Sequence, residues 1–339
     1  MDRRSFLLAS LSLTLWAPAV CPVLAQTTSA PKRIGMLING GPKGPGELIR
    51  HNFVQDLAQH GYVEDRDIRL DPRFAEGVIS RLPDLASELV QSNPDVVVAF
   101  GGPASEAAAQ ATSTIPVVFS IVTDPVALGL VASLERPGRN VTGVTSLDPE
   151  QATKQMELLK AVLPGIQRIA ILSDTTIPGA DGNGMAPIDR ANLTAARSLG
   201  LQPQVVKVKG PTADRPDPDF GSAFAAMKAE AAEAVLVLEL PVAFAHRQRI
   251  GDEARARRIP AMFPGGMRDA GGVITYGTSV AETWRLLPAM VDKILKGAKP
   301  AEIPVEFVTR RELVFNLNAA NAIGVMIAED LLAQGEVVR

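Results

Sequence analysis

One short loop of the chain combines the residue types that bind an anion. Gly102-Pro103-Ala104-Ser105 follows the apolar run 95–100 and precedes a helical stretch. Glycine lets the backbone approach a ligand closely, proline is tolerated in a first helical turn, and serine adds a hydroxyl beside the free N–H groups. The loop predicts an anion site at a helix N-terminus, and an ordinary capped helix start is the alternative.

Two carboxylates end other apolar runs and suit a ligand group of opposite charge. Asp124 lies in Thr123-Asp124-Pro125, and Glu239 lies in Glu239-Leu240-Pro241. Both suit an ammonium group on a ligand, although either residue alone is also typical of a helix or turn cap. An anion site and carboxylates that converge on one cleft predict recognition of a zwitterion.

Further candidates for the same cleft follow the remaining apolar runs. They are Asn39, Asp174, Pro241, Phe263 and Tyr276. A stacking wall is a second expectation, with core packing as the alternative for each phenylalanine, because most such residues fill cores. The side chains concerned are Phe100, Phe119, Phe244, Phe263 and Tyr276.

Composition and motif content argue against several function classes. The 339 residues carry 34 Lys+Arg against 37 Asp+Glu, a net charge of -3, and no basic run, so we expect no nucleic-acid partner. His51, His60 and His246 lack metal-ligand spacing, and Cys21 is the single cysteine, so we expect no metal or other cofactor. The glycine-rich stretch 40–46 matches neither phosphate-binding fingerprint, and no Gly-x-Ser-x-Gly elbow occurs, so we expect no enzyme.

The elements that must position these loops form a repeated pattern. From Lys32 onward, short β-type runs alternate with amphipathic helices, which is typical of parallel βα units. The runs 33–37, 96–98 and 115–119 are echoed in order by 168–172, 235–237 and 259–263. We therefore predict an α/β fold of two doubly wound Rossmann-like lobes, in which ligands bind beyond the carboxyl ends of the strands.

The expected layout joins the lobes more than once. Residues 32–149 and 300–320 are predicted to form the first lobe, and 165–280 the second. Residues 150–164 and 280–299 are predicted to cross between them. Several crossings predict a hinge with an interlobe cleft.

The N-terminus has the pattern of an export signal. Arg3-Arg4 precedes Phe6-Leu7 and an apolar stretch that reaches Ala25, which is typical of a twin-arginine signal. We expect residues 1–25 to be removed after Ala25 and the mature protein to be periplasmic.

The mature chain resembles the ABC transporter substrate-binding proteins, the bacterial family whose members include binders of aromatic amino acids. The resemblance covers about 32–338 and rests on a series of motifs in family order. These include Gly61-Tyr62-Val63-Glu64, Pro94-Asp95-Val96-Val97-Val98-Ala99, Thr123-Asp124-Pro125-Val126, Ala270-Gly271-Gly272, Tyr276-Gly277 and Glu312-Leu313-Val314-Phe315-Asn316-Leu317.

The resemblance implies a type I periplasmic binding protein-like fold and no catalysis. A monomer would close its two lobes on a small solute and dock on an ABC permease driven by a separate ATPase. A sensor that docks on a receptor, and a periplasmic α/β enzyme, are the alternatives. The chain departs from the family pattern in 40–46, in 176–188 and in Gly101-Gly102-Pro103, where Gly-Thr-Pro is frequent. Amino acids, other small carboxylates and amides all fit an anion site with carboxylates nearby.

Overall fold

The computed structural model describes residues 30–43, 45–146, 148, 150–175, 177, 179–209 and 217–339. The expected export signal, residues 1–25, lies outside them. The strands are β1 Lys32–Ile38, β2 Ile68–Phe74, β3 Val96–Phe100, β4 Val117–Val122, β5 Val141–Thr145, β6 Arg168–Asp174, β7 Gln202–Val208, β8 Ala234–Val237, β9 Ala261–Phe263, β10 Ile274–Thr278, β11 Glu306–Phe307, β12 Arg311–Asn316 and β13 Glu336–Val338. The helices are α1 Pro45–Gln59, α2 Leu82–Gln91, α3 Gly102–Ala111, α4 Gln151–Val162, α5 Pro187–Ser198, α6 Phe220–Ala229, α7 Pro241–Ala245, α8 Arg247–Ala256, α9 Val280–Leu295, α10 Leu317–Ile323 and α11 Glu329–Leu332.

The strands form two sheets of the same plan. The first lobe has the order β11-β5-β4-β3-β1-β2, and the second has β13-β12-β10-β9-β8-β6-β7. If the strands of each lobe are counted from its own first strand, both sheets read 2-1-3-4-5, and these five pair in parallel throughout. The repeat predicted from the sequence is therefore a repeat of topology, and the predicted α/β class with two doubly wound lobes is confirmed.

Continuous apolar strands covered by helices give each lobe its own core. Every residue of β3, Val96–Phe100, is buried, as a parallel strand covered on both faces requires. Helices α1 and α9 pack on one face of the first sheet, and α2 and α3 pack on the other. The second lobe encloses a separate core around Phe220, Phe224 and Phe263.

The helices of the described chain cover sheets. The longest, α9, has 16 residues and buries one face that includes Leu287, Met290 and Val291. Among the described residues, no helix combines the length and the apolar composition that crossing a bilayer needs.

The chain passes between the lobes three times. It crosses between β5 and α4, between β10 and α9, and between β11 and β12. Helix α4 packs into the second core and α9 into the first, so the helix that follows each of the first two crossings buries apolar surface in the lobe that the chain has entered. Residues Pro31–Arg339 consequently hold together as one compact unit that contains both sheets.

The expected place of residues 300–320 in the first lobe is wrong for the second half of that segment, from Arg311 onward. Strand β11 does pair with β5 of the first sheet. Strand β12 instead pairs antiparallel with β10, where Ile274 lies opposite Phe315, and Phe315 is fully buried in the second core. The physical reason is that β10 leaves an open edge on the second sheet, and a strand that pairs there buries its apolar side chains in the second core.

A glycine in β5 marks a close approach that only hydrogen allows. A Cβ on Gly143 would lie 2.3 Å from the Phe119 carbonyl oxygen of the neighbouring strand. We expect Gly143→Ala to lower the free energy of unfolding by about 1–3 kcal/mol, measured by urea unfolding, because overpacking forces backbone shifts. Gly182→Ala is the control, because a Cβ there meets nothing within 4 Å. Equal stability of the two variants would contradict the packing of this sheet.

Candidate functional site

A cavity of about 560 Å³ opens between the carboxyl ends of the two sheets. Both lobes line it, with the loops after β1, β3 and β4 on one side and those after β6 and β8 on the other. In each sheet these loops flank the point where the strand order reverses, which is where open α/β sheets bind ligands. The candidate residues that line it are Asn39, Gly102, Pro103, Thr123, Asp124, Asp174, Glu239 and Pro241.

Only the first half of the predicted anion loop faces this cavity. Gly101 adopts φ +87°, which turns the chain sharply into α3, and Gly102 and Pro103 line the cavity. The N–H group of Gly102 belongs to the first helical turn and has no carbonyl partner within the helix. This end of α3 therefore has a backbone donor on the cavity wall.

Ala104 and Ser105 do not face the cavity, contrary to the sequence prediction. Both are fully buried. The Ser105 hydroxyl donates a 2.7 Å hydrogen bond to the Gly101 carbonyl, and the Ser105 N–H donates to the same oxygen at 3.0 Å. Ser105 thus closes the first turn of α3, which is the capping alternative.

Two buried polar side chains on the cavity wall lack a hydrogen-bond partner among the residues that the structure describes. They are the Asn39 amide oxygen and the Ser120 hydroxyl, whose residues are 8% and 0% exposed. A buried polar atom without a partner costs about 1–3 kcal/mol, so such atoms indicate a group that a ligand completes. Sequence reasoning missed Ser120 because it lies within an apolar strand.

The backbone next to Ser120 is strained in the way that binding sites often are. Ile121 has φ +51°, which is unfavourable for a β-branched residue, and the register of β4 against β5 shifts between Ser120 and Val122. The Thr145 hydroxyl holds the bulge by donating to the Val122 carbonyl at 2.6 Å. This strain re-aims the end of β4, and Ser120, Ile121 and Val122 all line the cavity.

The two predicted carboxylates have different environments. Asp124 is only partly buried, and its Oδ1 accepts a 2.9 Å bond from the Ala127 N–H, so it caps a turn while lining the cavity. Glu239 keeps a part of its surface toward the cavity, yet protein surrounds its carboxyl group. Burial raises the pKa of Glu239 to about 7, against the smaller opposing effects of a hydrogen bond with Gln151 and the charge of Arg311.

Arg247, the first residue of α8, is a basic residue on the cavity wall. Its Nε and Nη2 donate to the Asp269 carboxylate at 2.9 Å each, and its Nη1 donates to the Phe244 carbonyl. The guanidinium charge is therefore already compensated by Asp269. No group of three or more His, Cys, Asp or Glu side chains within the described ranges is arranged to hold a metal ion.

The aromatic wall differs from the predicted one. Phe100 and Phe244 line the cavity, as does Trp284 of α9, whose ring centroid lies 6.1 Å from that of Phe100. Phe119 and Phe263 are fully buried in cores. The ring of Tyr276 packs against the second core outside the cavity wall, and its carbonyl accepts from Gln155 Nε2 at 3.2 Å.

The two longer stretches that depart from the family pattern, 40–46 and 176–188, both contribute residues to the cavity wall. Gly40 and Gly46 line it from the first lobe, and Ile177, Gly179, Pro187 and Ile188 line it from the second. The rim that they form is apolar, which distinguishes it from the polar strand ends below.

Comparison with known proteins agrees with this architecture. The sequence profile described as ABC transporter substrate binding protein matches residues 44–338. The chain belongs to this family. Its members bind small molecules and work with ABC transporter components.

Individual relatives share parts of the chain or its whole fold. A tyrosine-binding protein of Clostridioides difficile is 33% identical over 141 residues, which are 39% of this chain and 40% of that protein. A Streptococcus pneumoniae ABC domain in complex with L-Trp has a TM-score of 0.78 at 26% identity, covering 90% of this chain and 100% of that chain. A conserved domain protein from Vibrio cholerae has a TM-score of 0.79 at 26% identity over 91% of this chain and 99% of its own.

The buried carboxyl of Glu239 makes stability depend on pH. Because the folded pKa of about 7 lies above the ordinary 4.5, the folded state holds the proton more tightly, and this stabilisation is lost as pH rises from about 4.5 to 7. We expect the melting temperature of Glu239→Gln, relative to that of the wild type, to increase as pH rises from about 5 to 8. Glu157→Gln, an exposed site on α4 paired with Lys154, is the control. A gap between E239Q and the wild type that does not change with pH would contradict the assignment.

Removing either of two buried hydroxyls on neighbouring strands should affect the free energy of unfolding differently. Ser120→Ala removes a hydroxyl without a partner and should leave the free energy of unfolding unchanged or raise it by up to about 1 kcal/mol. Thr142→Val removes a hydroxyl that donates 2.8 Å to the Ile303 carbonyl and should lower it by about 1 kcal/mol. Urea unfolding measures both. A comparable loss in both variants would mean that the Ser120 hydroxyl has a stabilising partner.

Proposed function

We propose that this chain captures a small solute by closing its two lobes on it, and delivers the solute to an ABC importer. The observation that carries the proposal is the cavity of about 560 Å³ that strand ends of both lobes line. A ligand that contacts both sides only when they are close together shifts the open–closed equilibrium by its differential affinity. The three crossings provide the hinge that such a motion needs.

The cavity wall favours a ligand with an apolar, flat body. Trp284 and Phe100 form an aromatic surface on the first lobe, and Phe244 and Leu240 add apolar surface from the second. Indole and phenyl faces stack on aromatic groups with about 0.5–1.5 kcal/mol beyond the burial of area. The similarity to a tyrosine-binding protein and to a domain in complex with L-Trp supports the same class.

The polar groups of the cavity favour a head group with both charges. The start of α3 offers N–H donors and a partial positive charge, which suit a carboxylate. Glu239 and the Asn39 amide oxygen offer acceptors, which suit an ammonium group. An amino acid with an aromatic or large apolar side chain combines these features.

The proposed place of action is the periplasm, and the proposed partners are a permease and its ATPase. The twin-arginine pattern of residues 3–7 and the family membership support export. We propose that the protein acts as a monomer, because one chain contributes both walls of the cavity.

Trp284 makes ligand binding directly visible. Beyond the expected export signal it is the chain's single tryptophan, because Trp16 lies within residues 1–25. We expect L-tyrosine or L-phenylalanine to change the fluorescence of a protein that begins at residue 26, with excitation selective for tryptophan. At 100 times the dissociation constant the ligand should also stabilise the fold by about 2.7 kcal/mol.

A variant and a paired readout sharpen this test. Trp284→Ala should weaken binding about tenfold, since it removes about 1–2 kcal/mol of aromatic contact. Val63→Ala, an exposed apolar site away from the cavity, should bind as the wild type does. A ligand that raises the melting temperature without changing Trp284 fluorescence would contradict binding in this cavity.

A further inference from the structure

Glu239 connects the ligand cavity to the crossings between the lobes. Glu239 lines the cavity, and its carboxyl is hydrogen-bonded to Gln151, the first residue of α4, directly after the first crossing. It also lies within electrostatic reach of Arg311, the first residue of β12, directly after the third crossing. The Nε–H of Arg311 in turn donates a 3.0 Å hydrogen bond to the carboxylate of Asp148, which lies in the first crossing.

The charges around Glu239 leave its negative form poorly compensated. Arg311 is the cation that acts on it, but Asp148 holds that guanidinium at 2.9 Å from Nη2. The other charged or titratable groups on the surrounding elements are Asp174 at the end of β6, Arg247 at the start of α8, Asp124 across the cavity, Glu150 before α4 and Tyr276 on β10. Of these only Arg247 is a cation, and it already forms an ion pair with Asp269.

A carboxyl in this position favours a ligand that brings its own positive charge. We propose that Glu239 selects ligands with an ammonium group by giving up its proton to solvent when such a group binds, whereas ligands without that group bind beside the protonated carboxyl. In this exchange the O–H bond of Glu239 breaks, the proton leaves to the buffer, and the ligand N–H donates to the resulting carboxylate. The inference deepens the proposed function by naming the head group that the second lobe reads.

The size of the effect follows from the environment of Glu239. With its pKa raised to about 7, the carboxyl is about half protonated at neutral pH, and the ammonium-binding form is depleted as pH falls. The apparent dissociation constant increases by the inverse of the competent fraction. For an ammonium ligand we therefore expect about 15-fold weaker binding at about pH 5.5 than at pH 7, and release of about half a proton per ligand at pH 7.

The experiment compares three probes that differ only in the head group. L-phenylalanine carries both charges, phenethylamine only the ammonium, and 3-phenylpropionate only the carboxylate. Calorimetric titration at pH 7 in phosphate and in Tris, whose ionisation enthalpies differ, counts the protons released. We expect proton release with the first two probes and proton uptake with 3-phenylpropionate, which binds beside the protonated carboxyl. In E239Q the release and the pH dependence should vanish, and in E157Q both should remain.

A ligand-free measurement separates this inference from the proposed function. In protein labelled with ¹³C at glutamate carboxyls, the resonance that E239Q removes should titrate near pH 7, and adding phenethylamine should shift its titration to lower pH. A titration near the ordinary value of 4.5, or one that phenethylamine leaves in place, overturns the inference even when the probes bind. If none of the three probes binds at millimolar concentration, the proposed ligand class fails together with this inference, and the family assignment stands.

Discussion

Parallel strands that are joined by right-handed crossover helices all end at the same edge of their sheet, and this constraint gives the molecule its site. Each lobe has the 2-1-3-4-5 order, so the loops after its first, third and fourth strands meet where the order reverses. Placing two such edges face to face encloses a cavity between them without any element built for that purpose. The crossings follow from the same plan, because α4 and α9 each bury apolar side chains in the lobe opposite to the strand that precedes them.

The cavity is where the fold departs from maximal stability. Asn39 and Ser120 each bury a polar atom without a partner, Ile121 is held in a left-handed conformation, and Glu239 is held in a medium that disfavours its charge. Each feature costs on the order of 1–3 kcal/mol, and the two apolar cores offset that cost. Such costs are typical of groups that are arranged for a ligand and not for the empty protein.

The sequence predicted the framework well because buried parallel strands and their strand-end loops leave clear local signals. The continuous run of β3 and the Gly101-Gly102-Pro103 turn after it identify a strand-end loop without any tertiary information, and that loop lines the cavity. It was harder to predict which side chains near a strand end face the cavity. Ser105 lies one helical turn beyond Gly101 and bonds back to its carbonyl, whereas Ser120 lies inside β4 and reaches the cavity only because a bulge at Ile121 re-aims the strand end.

Long-range contacts account for the remaining differences. Trp284 has the spacing of a core residue on α9, and only the crossing of that helix to the first lobe brings its ring onto the cavity wall. The place of β12 depended on which sheet had an open edge, which periodicity does not encode. The coupling of Glu239 to Arg311 and Asp148 likewise joins residues that are 72 and 91 positions apart along the chain.

Closure of the two lobes on a ligand is tested most directly by a distance between them. A chain that begins at residue 26 has no cysteine of its own, so Lys43→Cys and Asn183→Cys place spin labels at two exposed sites, one on each rim of the cavity. With a ligand whose binding is established by a raised melting temperature, double electron–electron resonance should show a shift of the distance distribution to shorter values and a narrower spread. An unchanged distribution at saturation would contradict capture by closure.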